Sequence, residues 1–232
     1  MADRYSYIPH VGLFLAVTWE IAERLSTRAL PRAWVAAMAV GVLAGCAAVT
    51  SSQLRYWADS ITLFEHAVAV TRDNYFAHNN LGVALEAAGR RDEAAQHYAE
   101  AVRINPTWPE ALNNFGIANA WRGDYAAAAR HFAEALRIRP NFAKAENNLA
   151  TALAYQGDGD GAFAHYLRAV ELDPQYVDAR YALADAYERR GQLDKAEEHY
   201  ARVVALRPGW TPAAERLHRV RAAKQTPGAA VR

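Results

Sequence analysis

A 34-residue period constrains this chain more than anything else in it. Prolines recur at Pro106, Pro140, Pro174 and Pro208. The same step carries Gly89, Gly123, Gly157 and Gly191, then Ala94, Ala128, Ala162 and Ala196. It also carries the aromatics Tyr98, Phe132, Tyr166 and Tyr200. Leu81, Phe115, Leu149 and Leu183 keep the phase, each followed by Gly or Ala at 82, 116, 150 and 184. Five residue classes in step over four copies demand a repeated supersecondary unit that cannot bury its apolar face alone. With 52 alanines among 232 residues and only 13 glycines and 9 prolines, the unit is helical.

Each unit reads as helix–turn–helix. The glycine supplies the left-handed residue that ends a first helix. Asp92, Asp160 and Asp194 are placed to cap the second helix, and the proline stops it. Small residues let the two backbones approach, and the aromatic fills the groove beside them. Period and residue types together resemble the tetratricopeptide repeat. The resemblance implies a right-handed superhelix with a concave inner wall. The expected fold is all-α: an N-terminal transmembrane hairpin followed by a tetratricopeptide solenoid.

The divisions follow from the phase. Residues 1–53 form a membrane segment with one or two spans, and 54–74 a capping half-repeat helix with Phe64 and Ala67 in phase. Four full units occupy 75–108, 109–142, 143–176 and 177–210. A capping helix and tail, 211–232, carry Leu217 in the leucine phase and Arg216, Arg219, Arg221 and Lys224 on a solvated side.

An asparagine pair recurs within the units: Asn79-Asn80, Asn113-Asn114 and Asn147-Asn148, replaced in the fourth by Tyr181-Ala182. An amide both donates and accepts, so a row of them can hold a peptide backbone whatever its side chains. The row resembles the asparagine ladder of the repeat domain in O-linked N-acetylglucosamine transferase. By that resemblance Asn80, Asn114 and Asn148 are the candidate peptide contacts, with Asn79, Asn113 and Asn147 beside them. The alternative is that the amides only bond helix to helix. Trp121 and Tyr155 are further wall candidates, among mixed positions such as Glu110, Lys144 and Asp185.

Other chemistries find little support. His97, His131, His165 and His199 recur before the aromatic. Neighbours one unit apart lie too far from each other to share a metal at about 2 Å, so they read as outer-face residues. The Asp158–Gly161 turn lacks the spaced ligands of a calcium loop. Cys46 stands alone, which excludes an internal disulfide. A net charge of +1 offers no basic footprint for nucleic acid. No catalytic residue, metal ligand or cofactor is assigned, and the expected partners are a protein or peptide and a membrane.

The mean hydropathy of −0.21 conceals apolar runs. Ala33 to Leu54 is 22 residues without a formal charge, enough to cross a bilayer. Tyr5 to Trp19 is a shorter uncharged run, either a first span with Tyr5, Tyr7 and Trp19 at the interfaces or an interfacial helix. Arg24, Arg28 and Arg32 lie between the runs, against Arg4 and Arg55 outside. The positive-inside rule then places the loop in the cytoplasm and the repeats outside it. The repeats would then face the periplasm, or a lumen in a eukaryote, and the expected location is a bacterial inner membrane with the repeats in the periplasm.

The order of these parts, from Asp3-Arg4-Tyr5-Ser6-Tyr7-Ile8-Pro9 through the hairpin and Trp57-Ala58-Asp59-Ser60 to the repeats, resembles the C-terminal part of the transmembrane, tetratricopeptide-containing O-mannosyltransferase-like family. Those enzymes carry acidic residues in an early extracytoplasmic loop among further spans, which this chain lacks. Two functions follow. One is a membrane-anchored, non-catalytic scaffold that binds an extended peptide. The other is the acceptor-binding arm of a glycosyltransferase whose catalytic spans lie elsewhere.

Overall fold

The computed structural model describes residues 31–225 together with Glu20 and Glu23. The first apolar run, Tyr5–Trp19, and the loop arginines Arg24 and Arg28 lie outside the described residues. The chain divides into two compact units, 1–58 and 59–232.

In the first unit, helix α1 (Arg32–Leu54) continues into a 3-10 turn, Arg55–Trp57. The stretch Ala36–Trp57 is long and apolar enough to cross a membrane, with a mean hydropathy of 1.5 and none of it buried. It is the single such helix among the described residues. Trp34, Met38, Val42, Leu43 and Val49 all face outward.

The second unit is an all-α tetratricopeptide solenoid. Helix α2 (Ser60–Val70) precedes four helix pairs. These are α3 (Tyr75–Ala87) with α4 (Arg91–Ile104), and α5 (Pro109–Trp121) with α6 (Tyr125–Ile138). Then come α7 (Ala143–Tyr155) with α8 (Gly159–Leu172), and α9 (Val177–Arg189) with α10 (Leu193–Leu206). Helix α11 (Thr211–Gln225) closes the array. Each helix packs on the next in sequence, and the first helices α5 and α7 also touch each other. The first helices therefore make the wall that runs across repeats.

The turn chemistry is the same in every pair. Gly89, Gly123, Gly157 and Gly191 have φ of 79°, 77°, 88° and 70°. After α3, the Gly89 N–H donates to the Glu86 carbonyl and the Arg90 N–H to the Leu85 carbonyl, both at 2.9 Å. This satisfies the carbonyls a helix end leaves open. The N-cap of each second helix is the residue right after the glycine, two positions before the aspartate pattern suggests. Asp124 and Asp158 are the N-caps, accepting from the Ala127 and Gly161 amides at 2.8 Å. Arg90 and Gln192 occupy the cap position without a side-chain bond to the free helix amides. Asp92, Asp160 and Asp194 instead sit in the first helical turn, where their charge meets the positive helix end.

The core repeats as the sequence does. Ala94, Ala95 and Tyr98 pack with Leu81 and Leu85, and Phe132 and Tyr200 hold the place of Tyr98 in later units. A Cβ on Gly82 would lie 2.6 Å from the Tyr98 ring, and one on Gly116 2.5 Å from the Phe132 ring. Glycine is therefore required at both close approaches.

The final helix is more than solvated. Ala213, Leu217 and Val220 are buried against the last pair. Its basic side chains are paired: Arg216 with Asp185 and Glu188, Arg219 with Glu188, and Arg221 and Lys224 with Glu197.

Candidate functional site: an amide row and an aromatic cleft

The first asparagine of each pair points inward, and Asn79 and Asn113 are buried. The second reaches across to the preceding repeat. Asn114 Nδ2 donates to Asn79 Oδ1 at 2.9 Å, and Asn148 Nδ2 donates to Asn113 Oδ1 at 2.9 Å. Within pairs, Asn113 donates to Asn114 and Asn147 to Asn148, both at 3.4 Å. The bonds form one directed chain, Asn147 to Asn148 to Asn113 to Asn114 to Asn79. It runs from the third repeat to the first, and aligned amides polarise one another along such a chain.

The structure thus shows the helix-to-helix role of the pairs. Asn114 and Asn148 bond helix to helix, yet each primary amide has two N–H donors and two lone pairs. A donor and an acceptor remain on each beyond the chain. Asn80 begins the row differently, with Nδ2 donating to the Phe76 carbonyl at 2.8 Å. The replacement Ala182 ends the row, because Asn147 meets no amide from the fourth unit at that place.

The row borders an open cleft of about 560 Å³. Asn79, Asn80, Asn113 and Asn114 line it together with Phe76, Trp108 and Phe142. Trp108 lies 6.0 Å from the Phe76 ring at 29°, and 5.2 Å from Tyr75 edge-on. Arg139 sits 5.0 Å over Phe142 and bonds Glu110 at 2.8 Å. The aromatics Trp108, Phe142, Tyr176 and Trp210 are themselves 34 residues apart, a signal visible in the sequence and not used above.

Trp121 and Tyr155 belong elsewhere. Trp121 lines a smaller hollow of about 150 Å³ with Tyr125, Asn148 and Thr151, and carries Arg91 at 5.5 Å. Tyr155 stacks flat on Tyr125, with centroids 4.4 Å apart, and is 67% exposed. The structure brings Asn148 to Trp121 but brings neither aromatic to the main cleft.

The histidines are not outer-face residues. All four are half-buried between the two helices of their own unit. His97 Nδ1 lies 3.0 Å from His78 Nδ1, and His165 lies 2.6 Å from Glu146. His131 packs on Phe115, and His199 meets Arg180 at 3.3 Å. Burial holds His78, His97, His131 and His199 below the ordinary histidine range. Among the described residues no three metal-ligating side chains converge.

Three tetratricopeptide repeat models match residues 75–108, 114–177 and 153–223. The chain is a tetratricopeptide-repeat protein, and its repeats resemble those in the C-terminal part of the O-mannosyltransferase family. It is 33% identical over 106 residues to protein O-mannosyl-transferase Tmtc3 of Drosophila melanogaster. That match covers 45% of this chain and 11% of the relative, so the chain spans about a tenth of that protein's length. Among solved structures it is similar to YrrB, a TPR protein with an unusual peptide-binding site. The TM-score is 0.58 at 22% identity, covering 71% of this chain and 85% of that one. The APC/C hetero-tetramer Cut9–Hcn1 gives a TM-score of 0.64 at 20% identity, covering 69% of this chain and 32% of that one. These two likenesses concern the fold alone.

Proposed function

We infer that the chain is a membrane-anchored scaffold, non-catalytic by itself, that holds an extended peptide or protein segment along its asparagine face. The observation that carries this reading is the directed amide chain with unspent donors and acceptors, opening on an aromatic-bordered cleft. Such amides engage a backbone without reading side chains. Replacing all of Asn80, Asn114 and Asn148 would also strip partners from buried Asn79 and Asn113, which costs folding free energy. Asn80→Ala is the cleaner variant. Peptide binding to the full chain should weaken about fivefold, one ordinary hydrogen bond, with the melting temperature unchanged. An affinity within about twofold of the parent, roughly half a hydrogen bond or less, would reject the amide row as the contact.

Helix α1 is the proposed anchor, with the repeats outside the cytoplasm by the arginine asymmetry of the flanking segments. Protease added to sealed spheroplasts should remove the repeats. Repeats that survive until the membrane is opened would reverse the orientation.

The similarity to a protein O-mannosyl-transferase favours a second reading, in which this chain is the acceptor-binding arm of a glycosyltransferase. An antibody to the repeats decides between the two. A native band near 25.6 kDa favours the scaffold acting alone, and a much larger band favours the arm.

A further inference from the structure

We propose that the cleft beside the amide row takes an uncharged extended segment and seats an aromatic side chain of it against Phe76, Trp108 and Phe142. This rests on the reading of the asparagine face as a peptide-binding surface, and it names what that surface selects.

Phe76 is 56% exposed, beside the exposed Tyr75 and the half-buried Trp108 and Phe142. Its ring lies beside Trp108, and Trp108 meets Tyr75 edge-on, so two of the three aromatics are already held in place. Farther along the array the equivalent Trp210 lies 4.8 Å from Tyr181 and under Arg207 at 5.2 Å, away from this cleft. An open aromatic wall therefore coincides with the amide row. The volume of about 560 Å³ suits a few residues of a bound segment.

Charge decides against ionic occupants. Arg139 already lies over Phe142, so a second cation beside that ring would be repelled. The same arginine is paired with Glu110, which leaves it no free charge for an anion. The other charged lining residues, Lys144 and Asp173, are of opposite sign. A charged side chain would lose water against apolar rings, in a lining whose charges of both signs give no net field to favour it. A neutral aromatic ring finds edge and face partners, and the backbone beside it finds amides.

The test uses the full chain in detergent and fluorescein-labelled decapeptides of Ser, Asn and Gly with one central Phe, Leu, Ser, Lys or Glu. The Phe peptide should bind about tenfold tighter than the Ser, Lys and Glu peptides, a difference of the size an aromatic contact supplies. Trp108→Ala should erase that preference, and Trp108→Leu, which keeps apolar bulk, should retain part of it. Asn80→Ala should weaken all five peptides alike. Equal affinities across the set, a preference for Lys or Glu, or a Phe preference that survives Trp108→Ala would overturn the aromatic selection while leaving peptide binding intact. Failure of every peptide to bind would overturn both readings.

Discussion

At the scale of single residues, the recurring aromatic explains its neighbours. Tyr98 and Tyr200 each give their hydroxyl to a glutamate on the first helix, Glu86 at 2.7 Å and Glu188 at 3.0 Å. Burial, then that bond, push both phenols well above the ordinary tyrosine range. Phe132 has no hydroxyl, and the corresponding residue of its unit is Ala120. Tyr166 faces Ala154 there and bonds Thr151 at 3.1 Å instead. Tyr98→Phe should therefore cost about 1–2 kcal/mol in urea unfolding, because Glu86 loses its partner. Tyr200→Phe should cost less, since Glu188 keeps Arg216 and Arg219. Gly116→Ala sets two effects against each other. Helix propensity favours alanine by about 1 kcal/mol, while overpacking against Phe132 costs about 1–3 kcal/mol. With a Cβ 2.5 Å from the ring, the second wins and the midpoint falls. The aromatic phase was legible in the sequence. The glutamate, alanine and threonine that answer it were equally visible, but only the crossing of helices shows that they meet.

At the scale of helices, the period located every turn through its glycine, while the capping residues were misread by two positions. The left-handed glycine reverses the chain so tightly that the next residue is already the cap. The aspartates that recur most visibly thus serve the helix dipole rather than the first free amides. The histidines were misplaced for a related reason: their phase was clear, but their partners lie on the other helix of the pair. His97, His131 and His199, held below the ordinary histidine range by burial, join the helices of their pairs in the neutral form, as does His78. Around His78 and His97 stand Glu100, Arg103, Glu93, Glu65 and Arg90. Their folded pKa values lie below the unfolded one of about 6.5, so the unfolded chain binds protons first as pH falls. Stability is full above that value and declines as pH drops toward the lowered ones. Urea midpoints at pH 7.5 and 5 should show the loss, and His97→Gln should shrink it. A midpoint independent of pH would show that these pairs do not matter.

Helix α11 tests charge against packing. Glu197→Gln removes two exposed ion pairs and should cost under about 1 kcal/mol. Deleting residues 211–232 uncovers the side of the core where Leu217 and Val220 are buried, and should cost several times more. Comparing both melts at low and high salt checks the assignment, because only the first loss is screened.

At the scale of the molecule, the repeat unit has unequal ends. No residue of α2 is buried, whereas α11 buries three. An array whose units touch only their neighbours opens from its weaker end. Hydrogen exchange should release α2 and α3 first and α8 to α10 last, and uniform protection would contradict this. The period made the solenoid readable because it states the packing many times over. The N-terminal unit has no such redundancy. The described residues of helix α1 are apolar and unburied, so the packing that reads out the solenoid has no counterpart there.

The amide chain carries one more consequence. Each strong amide bond joins the inner asparagine of one unit to the outer asparagine of the next, so its heritable element is the seam between helix pairs and not the pair itself. Copying a helix pair duplicates two half-seams. Substitution of one asparagine leaves its mate in the adjoining copy without that bond, as Ala182 of the fourth unit does to Asn147 of the third. Anyone grafting this face onto another array would have to cut in the middle of a first helix, out of phase with the repeats that the eye counts.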